Sequence, residues 1–208
     1  MPPEAILAFD TSAAHCAAAL LLGDRIMLAH EDMEKGQAER LMPFLQELLA
    51  REGITWADLT AIAVGIGPGN FTGVRIAVAA ARGLALGLGI PAIGITKLEA
   101  VAYGLPRPMT VIEDARRGEV YVQEFSETGA GSARVLSRAE AGAIAGAITG
   151  SGCDGLPAAM PLAEAMVRIA ATRAQSPQPR PAPFYLRGAD ASPPSDPPPV
   201  ILPEPAGL

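Results

Sequence analysis

Hydrophobic positions along this chain follow two periods, and each change of period marks an element. Ala5–Phe9 is a short apolar run that ends at Asp10. Ala17–Leu22 is a second run, Gly23-Asp24 is a turn signal, and Arg25–His30 is a third. Three such runs joined by short turns predict an antiparallel meander. From Ala38 to Glu52 the period becomes helical: Leu41, Phe44, Leu45, Leu48 and Leu49 recur on one side, with Gln46, Glu47, Arg51 and Glu52 between them. Pro43 lies inside this segment and cannot donate to the Glu39 carbonyl, so a kink or a late start is expected. Ala61–Ile66 reads as a buried strand and Gly67–Gly73 as a glycine-rich loop. An Ala-rich helix follows from Thr72 to Leu88, then a strand Pro91–Ile95 and a short helix to Tyr103 capped by Thr96.

The second half has weaker signals. Met109–Ile112 and Glu119–Phe125 predict strands around an Asp114–Gly118 turn. Ser137–Ala147 and Leu156–Ala174 read as helices, and from Ser176 the chain is Pro-rich, predicting an extended tail. The organisation expected is a first subdomain over 1–105, a smaller second one over 106–175 and a tail over 176–208. The order strand-strand-strand-helix-strand-helix-strand resembles the ribonuclease H-like unit of actin, Hsp70 and sugar kinases. At this level the likeness concerns fold only.

Composition narrows the class. The chain has 208 residues, enough for one large domain or two small ones. Half of it is hydrophobic but only 4% is aromatic, so the apolar mass is Ala, Leu, Ile and Val. Eleven of the 20 prolines lie between Pro177 and Pro205, so the proline signal belongs to the tail. Net charge is −6, with −4 up to Leu105 and −2 beyond it. Neither half is basic, so any action on nucleic acid needs a partner to supply the grip. Cys16 and Cys153 form no Cys-x-x-Cys motif, and Met-Pro-Pro-Glu lacks the basic region of a signal peptide. The apolar window Ile76–Ile95 holds Arg82, four glycines and Pro91, and so fits a helix, turn and buried strand better than a membrane span. A soluble, cytoplasmic protein with no membrane association is expected.

The most specific local feature is Gly65-Ile-Gly67-Pro68-Gly69-Asn70-Phe71-Thr72-Gly73-Val74-Arg75, set between a strand and a helix. Its glycines allow close approach of a ligand or another chain segment. A helix N-terminus there favours an anion, and Arg75 in the first turn is placed to add a charged fork. A phosphate or carboxylate site over Gly67, Gly69, Asn70, Thr72 and Arg75 is one reading; a tight strand-to-helix crossing is the other. The loop has no P-loop Lys, and its glycine spacing departs from the dinucleotide fingerprint. Asp10-Thr11-Ser12, after the first strand, fits either a metal–phosphate acid or a side-chain-capped turn.

Gly73, Ala77, Ala81, Ala85 and Gly89 fall at successive i+4 positions, so one helix ridge is nearly bare backbone. Either it packs internally, or with Leu41, Phe44, Leu45 and Leu48 of the preceding helix it makes a subunit interface. His15 and His30, the only histidines, fall in no metal-binding spacing, and no metal site is expected. A His15–Cys16 dyad is excluded because neighbouring strand residues point to opposite faces. Asp114-Ala-Arg116-Arg117 is a surface ion pair or a site edge. No complete acid–base, nucleophile or metal constellation emerges.

Four blocks, in order over almost the whole chain, resemble the TsaB (YeaZ) family. Ile6-Leu7-Ala8-Phe9-Asp10-Thr11-Ser12 is similar to its Ile-Leu-Ala-Ile-Asp-Thr-Ser. Gly67-Pro68-Gly69-Asn70-Phe71-Thr72-Gly73-Val74-Arg75-Ile76 is similar to its Gly-Pro-Gly-Ser-Phe-Thr-Gly-Leu/Val-Arg-Ile, with Asn70 in place of the family Ser. Asp114–Tyr121 and the closing Tyr185-Leu186-Arg187 match its later signatures, while Gln37 stands where many members carry His. The resemblance implies an α/β, actin-like (ASKHA) fold of two subdomains, with mixed sheets flanked by helices. It implies a non-catalytic subunit without a cofactor. That subunit pairs through its first-domain helices with TsaD, which transfers threonylcarbamoyl to the tRNA adenosine beside the anticodon. TsaE is the implied third partner, tRNA is met indirectly, and a homodimer is the expected state when TsaD is absent. A nucleotide-dependent phosphotransferase or a glycoprotease-like metallopeptidase is the competing expectation.

Overall fold

The computed structural model describes residues 4–187. Of the expected tail, 176–187 are among them and 188–208 lie outside the described residues.

The meander is present as β1 (Ala5–Asp10), β2 (His15–Leu22) and β3 (Arg25–Asp32), paired antiparallel. Next come α1 (Gln37–Arg51), a single 3₁₀ turn (Trp56–Asp58), β4 (Ala61–Gly65), α2 (Phe71–Leu88), β5 (Ala92–Ile95) and α3 (Lys97–Ala102). β4 and β5 join parallel to β1, giving the mixed order β3-β2-β1-β4-β5. Side chains alternate across a strand, so β1 serves two cores. Leu7 and Phe9 pack with α1 and α2, whereas Ile6 and Ala8 face the other side. Cover on both faces explains why β1 is apolar at nearly every position.

The second sheet has the order β10-β6-β7, with two short strands also on β7. Its elements are β6 (Met109–Asp114), β7 (Glu119–Ser126), β8 (Gly129–Ala130), β9 (Arg134–Ser137), α4 (Arg138–Ala141) and β10 (Ile148–Thr149). The chain ends its regular structure with α5 (Leu162–Arg173). Mixed sheets flanked by helices make the actin-like α/β fold that was expected.

Three expectations are corrected. The helix read over Ser137–Ala147 is one turn, α4, capped by a reciprocal Ser137–Glu140 box. Gly142 and Gly146 follow at once, and glycine is a poor helix former. The helix read from Leu156 begins at Leu162, because Pro157 and Pro161 lack amide donors. Nor does α5 pack with the second sheet that precedes it: Ala163, Met166, Val167, Ile169 and Ala170 cover the first sheet opposite α1 and α2. α1 also starts without delay at Gln37 despite Pro43. Pro43 and Glu39 both lie on its exposed side, where water can satisfy the released Glu39 carbonyl.

Candidate functional site

The glycine loop lies where β4 feeds α2, and β1 ends beside it. Asp10, the last residue of β1, is buried. Its Oδ1 accepts from the Ser12 amide at 2.9 Å and from the Ser12 hydroxyl at 2.9 Å. His15 Nε2 sits 3.0 Å from the same oxygen. Asp10 thus caps the turn between β1 and β2, one of the two roles read from the sequence.

That turn fills the space above the loop. A Cβ on Gly73 would lie 1.9 Å from the Thr11 carbonyl oxygen, and one on Gly69 would lie 2.6 Å from that of Ser12. A Cβ on Gly65 would meet the Asp10 carboxylate at 1.9 Å. Gly69 and Gly73 therefore make room for the chain's own backbone, and Gly65 for the Asp10 side chain. Hydrogen bonds close the contact. Thr11 Oγ1 donates to the Gly73 carbonyl at 2.7 Å, and the Asn70 amide donates to that of Ser12 at 2.7 Å. Asn70 Oδ1 accepts from the Gly73 amide at 3.0 Å and caps α2, the task a Ser would perform there. Gly67, at φ +90°, accepts from the Lys97 amide at 2.8 Å. Thr72 is exposed and is not drawn into this cluster.

Arg75 is committed elsewhere. Its Nε donates to the Tyr185 hydroxyl at 2.8 Å, and its guanidinium lies 3.7 Å from the centre of the Phe71 ring. Phe71 and Tyr185 stack with centroids 5.3 Å apart. The fork expected to reach an anion instead holds the segment around Tyr185. That segment is further fixed where the Phe184 amide donates to the Ile66 carbonyl at 2.8 Å and Arg187 pairs with Glu119. Residues 178–187 thus form a strap over the glycine loop.

The proposed interface residues need the plainest correction. Leu41, Phe44, Leu45 and Leu48 are buried, and Gly73, Ala77 and Ala81 are buried with them. Ala85 is partly buried against the same cluster. The ridge packs on the sheet and α1, so its buried side chains are engaged within the chain. A second small ridge, Ala79, Gly83 and Gly87, is exposed. It is offset by two residues, about 200° around the helix, which puts it on the opposite side. Leu86, beside it, is 83% exposed. Sequence periodicity contained this second ridge as clearly as the first.

Two further groups were not found from sequence. Glu113, 3% exposed, accepts from Lys97 Nζ at 2.5 Å and from the Ser151 amide and hydroxyl at 3.0 and 2.8 Å. This charge cluster joins the ends of β5 and β6 and is fully partnered. His15 also stacks edge-on with His30, 5.2 Å away on the neighbouring strand. Only the β2–β3 register brings them together. Asp114, read as part of an acid–cation cluster, bonds the Arg116 amide and pairs with Arg138, and it is exposed. Burial, with Glu31 next in weight, pushes the Cys16 thiol up to about 11, and burial raises Cys153 too. Neither is a ready thiolate near neutrality. Among the described residues no three His, Cys, Asp or Glu side chains gather as a metal-ligand set.

Known proteins are similar to this chain in sequence and fold. The family model described as "TsaD: tRNA N6-adenosine threonylcarbamoyltransferase" matches residues 31–175. The Escherichia coli tRNA threonylcarbamoyladenosine biosynthesis protein TsaB is 38% identical over 125 residues, 58% of this chain and 54% of that protein. The aligned region thus spans about half the length of that relative. An uncharacterized Mycobacterium tuberculosis protein is 32% identical over 90% of this chain and 94% of its own length. The solved YeaZ of Pseudomonas aeruginosa superposes with a TM-score of 0.70 at 28% identity, covering 88% of this chain and all of that one. With its family model matched over residues 31–175 and its fold superposed over 88% of its length, the chain belongs to the TsaD-type family and, within it, to the TsaB (YeaZ) members.

Proposed function

We propose that this chain is the non-catalytic subunit that pairs with TsaD and holds it competent for threonylcarbamoyl transfer to the tRNA adenosine beside the anticodon. The outward face of α2 carries this reading. α2 exposes Phe71, Ala79, Gly83, Leu86 and Gly87, Leu86 by 83%. Its inner ridge is locked into the sheet core, so the apolar outer face is best covered by another protein. The loop geometry supports the same reading, because the chain's own Thr11 and Ser12 occupy the space over Gly69 and Gly73. The names of the TsaB relatives supply the tRNA context.

In this reading TsaE docks on the pair, tRNA is held chiefly by TsaD, and the acidic chain works in the cytoplasm. Alone, it forms a homodimer through the same α2 face. The test is reconstitution of tRNA modification by TsaD with and without the full chain. Modified tRNA should accumulate only when the chain is present. A yield indifferent to its presence defeats the proposal.

A further inference from the structure

Three arginines without a carboxylate partner among the described residues, Arg75, Arg82 and Arg180, share one groove on the outer side of α2. Elsewhere the arginines are largely neutralised within the chain: Arg40, Arg138, Arg168, Arg173 and Arg187 each meet a Glu or Asp. Within the groove Arg75 is held by Tyr185 and Phe71. Arg82 and Arg180 line a groove of about 440 Å³ whose lining contains no acidic residue, and neither has an ion-pair, hydrogen-bond or ring partner among the described residues. Its apolar surface is Val78, Ala79, Leu86 and Pro183, with Gly83 between. A Cβ built on Gly83 meets nothing within 4 Å, so the α2 backbone there is open to close approach.

Arg180 and Pro183 come from the strap and not from α2. The strap is held in place by the Phe184–Ile66 hydrogen bond, by Pro181 beside Gly94 and by the Arg187–Glu119 pair. It therefore presents Arg180 across the groove from a fixed position. Covering the apolar floor would draw both guanidinium groups away from water. They then need anionic partners, and a partner with cations at those places is repelled.

We propose that α2 and the strap form one docking surface, whose occupant is an apolar segment of TsaD flanked by acidic side chains that meet Arg82 and Arg180. This inference rests on the pairing proposed above and adds the strap and the chemistry of the occupant to it. The test titrates purified TsaD, encoded by the same genome, onto the full chain and onto its Leu86→Asp, Arg180→Glu and Arg180→Lys variants. Each is measured at low and high salt after circular dichroism has established the native fold.

Loss of the central apolar contact in Leu86→Asp should weaken pairing about 100-fold. Arg180→Glu should weaken it about tenfold and flatten its salt dependence, while Arg180→Lys keeps most of the affinity. If Arg180→Glu pairs like the unaltered chain while Leu86→Asp does not, the strap's role is overturned and the pairing stands. If the unaltered chain does not pair, both fall; if it pairs and Leu86→Asp changes nothing, the docking surface falls and the pairing stands. Binding of tRNA by the chain alone that Arg180→Glu abolishes would overturn the acidic-segment proposal in favour of a nucleic-acid surface.

Discussion

α2 carries two ridges of small residues that look alike in sequence and differ in fate. Gly73, Ala77 and Ala81 are buried against the sheet and α1; Ala79, Gly83 and Gly87, on the other side, meet water. On the inner ridge smallness is a steric requirement, since Gly73 leaves no room for a methyl group beside Thr11. On the outer ridge nothing among the described residues demands it, since space is open around Gly83 and Gly87. A small residue therefore means closeness to something, but its neighbour can be the chain itself or a different molecule. Interior packing is dense enough that one added methylene is felt, whereas an exposed helix face absorbs it.

Substitutions on the two ridges should separate the two roles. The largest effect is expected for Gly73→Ala. Its Cβ meets backbone, not a movable side chain, so overpacking should cost about 3 kcal/mol, read as a lower urea midpoint. Ala81→Leu, in the same core, should cost about 2 kcal/mol by the same mechanism. An Ala81→Leu chain that keeps its stability and loses only pairing would restore the interface reading of the inner ridge. On the outer ridge the sign reverses. Gly83→Ala should raise stability by about 0.8 kcal/mol, the usual helix preference of Ala over Gly at an open site. Destabilisation there would mean that the outer ridge is packed after all.

The smallest effect is expected on the Cys16 thiol, which lies in the inner core. Because burial pushes it up to about 11, the folded state favours the protonated thiol. Stability from this group is complete below the unfolded value of 9.0 and declines as pH rises from there toward about 11. Labelling of Cys16 by a thiol reagent should stay slow at pH 8 in the native chain and reach the ordinary rate on unfolding. Fast native labelling at pH 8 would show the inner core to be open.

Much of the site was legible from residues. Asp10 as a turn cap, Asn70 at the start of α2 and the run of glycines each have local causes, because a cap or a turn acts over three or four residues. The partners of those glycines were not legible. The Thr11 carbonyl faces Gly73 across 62 positions of chain, and Arg75 reaches Tyr185 across 110. The anion reading of the loop rested on a helix N-terminus, which attracts any negative or carbonyl group nearby; that the turn after β1 packs against this one is a contact only the fold decides.

The amino-acid sequence alone determined the meander of β1 to β3, the strand–loop–helix of the glycine segment, and the two stripes of α2, since hydrogen-bonded periods of 2 and 3.6 residues are written locally. Tertiary structure decided which stripe faces the sheet, that α5 crosses back to cover the first sheet, and that Arg82 and Arg180 are left together over an apolar groove. Periodicity fixes angles around a helix axis, but not the side on which the rest of the chain lies. That choice belongs to contacts between residues far apart in sequence, which local propensity does not encode.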